Sequence, residues 1–168
     1  MPRRPLVVRD SAIHGRGAFA TADLTAGDLI SVYSGQLIDW PEATRRYQDL
    51  DVPAGHTFFF DLGDGHVIDG GRGGNAARWI NHGCEPNCEA AVEGRAVEIL
   101  ATRDIVKGEE LLLDYQLELD PTATAAERKA YACRCGAASC RGTLLAAPSP
   151  RPRRRTKAGT TKARDGRG

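Results

Sequence analysis

Three short stretches of this chain hold the side chains best suited to chemistry. Residues 78–88 read Arg-Trp-Ile-Asn-His-Gly-Cys-Glu-Pro-Asn-Cys, so two hydrogen-bonding side chains and two thiols follow an apolar start. Residues 108–115 lead from a polar turn through three leucines to an aspartate and a tyrosine. Residues 133–140 contribute three more thiols. These groups indicate a ligand-binding site and, close to it, thiols available to a metal.

The five cysteines favour a metal site or reactive thiols over disulfides. The start of the sequence lacks the apolar core of a secretory signal, and disulfides are rare in proteins that are not exported. Cys133, Cys135 and Cys140 supply three thiolates, whereas a closed structural zinc site takes four. Cys84, which lies 49 residues before Cys133, is the candidate fourth ligand, and Cys88 is left over. Three reduced surface thiols are the alternative that the spacing alone leaves open.

Aromatic side chains offer walls for a narrow apolar pocket. Phe58, Phe59 and Phe60 follow one another in a predicted strand, and neighbouring strand residues point to opposite faces. The three side chains therefore face two different apolar surfaces. Either the strand is buried on both sides, or Phe58 or Phe60 lines a channel. Tyr33 ends another predicted strand, and Tyr115 follows the leucine run. Taken alone, each tyrosine is ordinary packing.

Four motifs in one order resemble the SET-domain protein-lysine methyltransferases followed by a post-SET zinc module. They are His14-Gly15-Arg16-Gly17, the stretch from Asn81 to Cys88, the Asp114-Tyr115 end of the leucine run, and the cysteine group. Together they span residues 14–143, and they are closest to the trithorax-like branch. Two positions depart from the family: Gly83, where it usually has serine, and Leu113, where it usually has phenylalanine or tyrosine.

The resemblance implies a role for individual residues. S-adenosylmethionine would be bound by residues from several parts of the chain, namely His14, Arg16, Gly17, Phe58, Asn81, His82 and Arg134. Tyr115 would be the principal catalytic residue and Tyr33 a second one. One structural zinc ion would be held by Cys84, Cys133, Cys135 and Cys140. The zinc would tie a C-terminal flap onto the Asn81-His82 segment and complete the cofactor pocket.

The activity that the resemblance implies is the S-adenosylmethionine-dependent methylation of lysine side chains in a protein substrate. Residues 147–168 hold eight basic residues and one acid, which leaves 15 basic and 21 acidic residues before them. An acidic body attracts a basic partner, so the expected substrate is a basic protein such as a histone or histone-like protein. Two other functions stay open: a non-catalytic SET-type peptide-binding module, and a zinc-bearing nucleic-acid-associated protein.

The expected fold is mainly β with short helices, because nineteen glycines and nine prolines favour turns and short strands. The resemblance adds small curved sheets with a knot-like crossing near Asn81 and Tyr115. A helix is predicted over Pro41–Leu50, where Asp39 can cap the first turn. A second, short helix or ordered linker is predicted over 122–131. The expected domains are a SET domain at 1–120, a post-SET zinc-binding segment at 121–146 and a disordered basic tail at 147–168.

The remaining expectations concern partners and location. No apolar run approaches the roughly 20 residues of a membrane helix, so no membrane partner is expected. A cytoplasmic monomer is the default, with the nucleus or chromatin of a host or eukaryotic cell as the alternative. The charge of the tail allows weak contact with nucleic acid. The resemblance implies that the side chain at position 113 helps set how many methyl groups are added, so Leu113, smaller than the usual aromatic residue, would leave room for more than one.

Overall fold

Short strands make up most of the regular structure. The computed structural model describes residues 5–50 and 57–147. The strands are β1 (Leu6–Asp10), β2 (Arg16–Ala20), β3 (Leu29–Tyr33), β4 (Gln36–Asp39), β5 (Phe59–Asp61), β6 (His66–Asp69), β7 (Asn81–His82), β8 (Cys88–Glu93), β9 (Ala96–Ala101) and β10 (Leu112–Leu113). The helices are α1 (Trp40–Asp49), a 3-10 turn (Ala76–Trp79) and α2 (Ala125–Lys129). This architecture confirms the predicted fold class.

Within the described residues the strands form four small sheets. β1 pairs with β2, β9 lies between β3 and β8, β6 lies between β4 and β5, and β7 forms a parallel pair with β10. Alternation along β9 places the main core, because Val97, Ile99 and Ala101 point inward and are buried. They pack in one apolar cluster with the buried Ile105 and Leu111. The sheets are thus small units assembled around a shared core.

Helix α1 forms where the sequence predicted a helix over Pro41–Leu50. The Asp39 carboxylate accepts the backbone N–H of Glu42 at 2.9 Å and so satisfies one free donor of the first turn. The Arg46 guanidinium then contacts the carboxylates of Glu42 at 2.7 Å and of the buried Asp69 at 2.6 Å. Because Asp69 belongs to β6, this ion pair fixes the helix onto the sheet that includes β5.

The phenylalanine run divides between two apolar surfaces, as predicted. Phe59 packs on a small cluster beside α1 formed by Ile38, Ala43 and Val67, whereas Phe60 packs on the main core. β5 is the outer strand of its sheet, so one of its edges is unpaired among the described residues. A strand edge of this kind can accept an additional strand.

The parallel β7–β10 pair joins two segments that are distant in the sequence. The strand within the leucine run is limited to Leu112–Leu113, because the N–H groups on either side of it bond elsewhere. That of Leu111 donates to the Ala18 carbonyl at 2.8 Å, and that of Tyr115 donates to His82 Nδ1 at 3.1 Å. The knot-like threading stays a prediction from the resemblance, and the parallel pair is the point where the two segments meet.

The buried Asn87 fixes the approach to β10. Its Nδ2 donates to the Glu110 carbonyl at 2.8 Å and to Glu109 Oε1 at 2.9 Å, and its Oδ1 accepts the Leu112 N–H at 2.8 Å. All the polar atoms of this amide are therefore paired inside the fold. Asn87 holds the leucine run in register beside β7.

The C-terminal segment returns to the body of the protein. The predicted short helix over 122–131 is present as α2, which begins with a capping box between Thr124 and Glu127. Farther on, Leu145 forms a parallel bridge with Leu117. The predicted basic tail lies, from residue 148 onward, outside the described residues. None of the helices within the described ranges is long and apolar enough to cross a membrane.

Candidate functional site

The Tyr115 side chain is held by the segment around β7. Its hydroxyl donates a hydrogen bond to the Ile80 carbonyl at 2.7 Å, and its ring meets the His82 ring edge to face with centroids 5.4 Å apart. Burial raises the pKa of Tyr115 above its ordinary value, so the hydroxyl stays protonated near neutral pH. A protonated phenol donates one hydrogen bond and still has lone pairs with which to accept another.

His82 links the Tyr115 segment to the cysteines. Burial lowers the pKa of His82, because desolvation disfavours the charged ring. A neutral imidazole accepts at one nitrogen and donates at the other. Here Nδ1 accepts the Tyr115 N–H at 3.1 Å, and Nε2 lies 3.4 Å from the Cys84 sulfur. The ring thus spans the gap between the phenol and the first cysteine of the cluster.

Asn81 connects the same segment to the glycine loop at 14–17. Its Nδ2 donates to the Arg16 carbonyl at 3.0 Å and lies 3.3 Å from the His14 carbonyl. The same nitrogen is 3.0 Å from Glu110 Oε1. The loop and Asn81, which the sequence suggested as separate motifs, are therefore direct neighbours.

Glu110 is a partly buried anchor of this site that sequence analysis missed, because residues 107–110 were interpreted only as a turn. Its Oε1 accepts hydrogen bonds from the Ser11 hydroxyl at 2.7 Å and from Asn81 Nδ2. The same oxygen would overlap a Cβ added at Gly17. Any larger residue at Gly17 would therefore displace the Glu110 carboxylate from both partners. The glycine at this position is explained by close approach of the carboxylate.

Aromatic and cationic side chains form a wall next to the glycine loop. The rings of Phe58 and Trp79 meet edge to face with centroids 4.9 Å apart, and Arg78 Cζ lies 5.3 Å from the centre of each. Arg16 Cζ lies 5.1 Å from the Trp79 ring. The Tyr33 hydroxyl donates to the Phe58 carbonyl at 2.7 Å and so fixes the wall to β3. Phe58 and Tyr33 thus lie in one structural unit.

The electrostatic environment of Tyr33 includes Tyr115. Burial, together with the nearby Tyr115, raises the pKa of Tyr33 above its ordinary value.

Within the described residues, the Arg78 Nε on the same wall is a buried donor without a hydrogen-bond partner. A buried donor of this kind is costly unless a ligand or water supplies an acceptor.

The four predicted zinc ligands converge. The Sγ atoms of Cys84, Cys133, Cys135 and Cys140 all lie within 4.8 Å of one another. Cys84 Sγ is 3.7 Å from the Cys133 sulfur and 3.9 Å from the Cys140 sulfur. Zn–S bonds of about 2.3 Å in a tetrahedron place the sulfurs about 3.8 Å apart. The cluster therefore has the dimensions of a closed, four-sulfur zinc site.

Backbone N–H groups point at these sulfurs. Cys84 Sγ lies 3.4 Å from the Arg141 nitrogen, Cys133 Sγ lies 3.4 Å from the Cys135 nitrogen, and Cys140 Sγ lies 3.4 Å from the Gly142 nitrogen. Such contacts favour thiolates. Four thiolates this close repel one another strongly unless a cation lies between them. The donor set and its surroundings thus fit a divalent metal ion.

Two further contacts dock the C-terminal segment, and neither was predicted from the sequence. Arg141 forms a bidentate ion pair with the Asp114 carboxylate at 2.7 and 2.8 Å. The hydrogen bonds from Arg141 hold the pKa of Asp114 below its ordinary value. Glu85 Oε1 accepts both the backbone N–H of Ser139 at 3.1 Å and its hydroxyl at 2.8 Å. Since Asp114 precedes Tyr115, the flap is fixed directly beside the phenol.

Some predicted residues lie apart from this arrangement. Arg134 is exposed, and the described part of the chain offers it no hydrogen bond or ion pair, so its predicted cofactor contact stays a prediction. Cys88 is buried in the main core and does not belong to the four-sulfur cluster, which agrees with its being left over. Leu113 is also a core residue, with 9% of its surface exposed.

Comparison with known proteins gives one family. The SET-domain family model matches residues 15–116, which is more than half of the chain. The match begins in the glycine loop and ends just after Tyr115. It therefore covers the segments that the parallel β7–β10 pair brings together.

Curated relatives agree with that match. The chain is 38% identical over 138 residues to a protein named histone-lysine N-methyltransferase 2B from Homo sapiens, covering 80% of this chain and 5% of the relative. It is also 38% identical over 138 residues to histone-lysine N-methyltransferase trithorax from Drosophila virilis, covering 80% of this chain and 3% of the relative.

A shorter relative gives the same picture. Histone-lysine N-methyltransferase, H3 lysine-4 specific, from Saccharomyces cerevisiae is 35% identical over 147 residues, covering 84% of this chain and 13% of the relative. The chain thus spans only a small part of the length of these proteins. The matched segments and the geometry of the site agree, and the chain belongs to the SET-domain family.

Proposed function

We propose that this protein is an S-adenosylmethionine-dependent protein-lysine N-methyltransferase. The observation that carries the proposal is the partly buried Tyr115 phenol, which the parallel β7–β10 pair holds beside the Ile80 carbonyl and the Asn81 segment. Membership of the SET-domain family and the names of the relatives support the same activity. We assign the SET domain to residues 1–120, the post-SET segment to 121–146 and a separate basic tail to 147–168.

We infer that the methyl donor binds between the glycine loop and the aromatic wall. We assign its binding to His14, Arg16, Gly17, Phe58, Asn81, His82 and Arg134. One observation supports this placement: the buried Arg78 Nε on the aromatic wall has no hydrogen-bond partner among the described residues, so a ligand can supply its acceptor. When bound, S-adenosylmethionine supplies an activated methyl group on a positively charged sulfur.

Glu110→Ala is expected to weaken binding of the methyl donor. The variant removes the acceptor shared by Ser11 and Asn81, so the glycine loop loses its anchor. We expect a loss of about 1.4 kcal/mol in binding free energy, which corresponds to a tenfold rise in Kd. Titration calorimetry with S-adenosylmethionine measures the change. Glu110→Gln keeps an oxygen for both donors and should bind nearly as the wild type does. Equal affinity for the wild type and Glu110→Ala would exclude this role.

The apolar wall and the phenol suit a neutral amine. A lysine ammonium has an ordinary pKa of about 10.4, so freeing its lone pair at pH 7 costs roughly 4–5 kcal/mol. Phe58, Trp79 and Tyr33 reduce this cost because an apolar channel disfavours the charged amine. The Tyr115 oxygen can accept an N–H of the amine and orient its lone pair toward the donor. Alignment of the two reactants supplies several kcal/mol more, on the order expected for oriented groups.

The rate of methyl transfer should rise with pH, and ionisation of the two tyrosines should not limit it. Because the pKa values of Tyr115 and Tyr33 are both raised, each hydroxyl stays protonated through the ordinary tyrosine value of about 10. Deprotonation of the substrate amine therefore dominates, and log(kcat/KM) should increase with a slope near one from pH 7 to about 9. A fall in rate beginning near pH 8, in protein that remains folded by circular dichroism, would contradict the assignment.

The four-sulfur cluster is assigned to one structural zinc ion held by Cys84, Cys133, Cys135 and Cys140. Four protein ligands leave no open position for a water molecule or substrate, so the metal takes no part in bond making. Its role is to hold the flap against His82 and Asp114, the two residues that contact both the cluster region and the Tyr115 segment. The zinc thus completes the pocket indirectly.

The substrate is expected to bind as an extended strand along the outer edge of β5, with its lysine directed past Phe58 toward Tyr115. The acidic body favours a basic peptide.

The names of the relatives make a histone the first candidate substrate. They give the predicted cytoplasmic location no support. A chromatin location follows from a histone substrate. We keep a monomer and a weak nucleic-acid contact through the tail as proposals.

The decisive experiment is incubation of the full chain with methyl-labelled S-adenosylmethionine and a panel of histones and other basic proteins. Label on lysine side chains, found by mass spectrometry, is the expected result, and peptides with acetylated lysines serve as the control. Label on no lysine, from folded protein with bound zinc, would favour a non-catalytic peptide-binding module. Binding of nucleic acid in place of methyl transfer would favour the zinc-bearing nucleic-acid-associated protein.

A further inference from the structure

We propose that this chain methylates its own C-terminal tail, with Lys157 and Lys162 as acceptors. The inference rests on the methyltransferase function proposed above. The sequence has four lysines against 19 arginines, and two of the four lie in residues 148–168. Those residues lie outside the described ranges, and their attachment point is Ala147.

The attachment point lies beside the segment that carries Tyr115. Leu145 forms a parallel bridge with Leu117, whose N–H donates to the Leu144 carbonyl at 3.1 Å. The Ala146 N–H donates back to the Leu117 carbonyl at 2.9 Å. Leu117 follows Tyr115 by two residues. The tail is therefore attached close to the proposed site of methyl transfer.

The length of the tail is sufficient for its lysines to enter the site. Lys157 lies ten residues beyond Ala147 and Lys162 lies fifteen, so they can extend about 35 Å and about 50 Å from it. A body of this size has a radius of gyration of about 15 Å. Both lengths exceed this radius, and the tail is attached near Tyr115, so either lysine can reach the Tyr115 site.

The charges of body and tail attract each other. Residues 147–168 carry a net charge of +7, and the rest of the chain carries −6. Exposed carboxylates lie near the attachment point of the tail and near the β5 edge. Glu118 and Asp120 follow Leu117, which bonds the segment before the tail, and Asp61 and Asp64 lie at the end of β5. The attraction acts over about 8 Å at physiological salt, which is enough to favour the tail near these surfaces.

The other two lysines are held in folded elements. The Lys107 N–H donates to Asp23 Oδ1 at 2.8 Å, and the next residue, Gly108, donates to the Ala20 carbonyl at 2.8 Å. Lys129 is the last residue of α2. Neither stretch can lie along β5 as an extended strand without breaking its own hydrogen bonds. The tail lysines are the ones that an added strand can present.

Each transfer is chemically complete with the methyl donor alone. The neutral lysine Nζ forms a bond to the methyl carbon while the methyl–sulfur bond breaks; the sulfur keeps the electron pair and S-adenosylhomocysteine departs. The amine proton passes to solvent. Covalent attachment gives the acceptor an effective concentration of millimolar order. Tail methylation should therefore be first order in enzyme, with a labelled fraction per unit time that does not change on dilution.

The test uses the full chain, methyl-labelled S-adenosylmethionine and a basic histone peptide as a second substrate. Lys157→Arg, Lys162→Arg and the double variant preserve the charge of the tail and serve as matched controls. We expect label on Lys157, Lys162 or both, at the same fractional rate across about a hundredfold range of enzyme concentration. The double variant should lose self-labelling by at least about tenfold and still label the histone peptide.

Each other outcome rejects the inference. Label on the histone peptide with none on the tail would overturn it and leave the methyltransferase function standing. Label confined to Lys107 or Lys129 would also overturn it. A fractional rate that rises in proportion to enzyme concentration would show transfer between chains and refute transfer within one chain. No label on either substrate would reject the proposed function and this inference together.

Discussion

Cys135→Ser is expected to lose its zinc, to release the C-terminal flap and to reduce methyl transfer by more than tenfold. A closed four-sulfur site holds its ion through all four ligands, and loss of one should cost more than the roughly 10- to 100-fold in affinity that follows loss of a supporting residue. Without the ion the remaining thiolates repel one another. The flap then no longer holds His82 and Asp114 beside Tyr115.

Zinc content by elemental analysis and methylation rate are measured on the same preparations. The wild type should contain about one zinc per chain. Cys88→Ala is the matched control, because Cys88 is buried in the core outside the cluster and its replacement should leave the zinc in place. A folded, fully active Cys135→Ser protein without metal would refute the structural role of the ion.

Tyr115→Phe is expected to lower kcat by roughly 10²–10³-fold while leaving the fold intact. The variant keeps the ring against His82 and removes the oxygen that orients the amine. Loss of the hydrogen bond to the Ile80 carbonyl should reduce the free energy of unfolding by about 1–3 kcal/mol, which a protein of ordinary stability tolerates. Binding of S-adenosylmethionine, measured by calorimetry, should change little.

The control for this variant is Tyr47→Phe, which removes a phenolic hydroxyl from a partly exposed residue of α1 outside the site. Its rate should remain close to that of the wild type. Rates for Tyr115→Phe within about threefold of the wild type would remove Tyr115 from the reaction, since that difference is less than 1 kcal/mol in activation free energy.

Features that depend on neighbours in the sequence were predictable. The Asp39 cap and Pro41 placed α1. The two faces of the phenylalanine run followed from strand geometry alone. The cysteine spacing gave three close thiolates and Cys84 as a candidate fourth ligand, and the structure brings the four sulfurs together. In each case the deciding interactions lie within a few residues or follow from ligand number.

Contacts between distant segments were not predictable from pattern. β7 and β10 have two residues each, which is too short to show a period in the sequence. They pair although about 30 residues separate them in the chain. The links from Glu110 to Ser11 and from Arg141 to Asp114 are likewise long-range, and charged residues in turns usually face solvent. Only the resemblance to a family indicated that these segments meet.

The most direct test of the account is a crystal structure of the chain with S-adenosylhomocysteine and a lysine peptide. We expect the sulfur and the lysine Nζ on opposite sides of the position of the transferred methyl, with Nζ within about 3–3.5 Å of the Tyr115 oxygen, in a pocket bounded by Asn81 and Phe58. A product bound elsewhere, with Tyr115 facing closed protein and no cavity for the amine, would contradict the account.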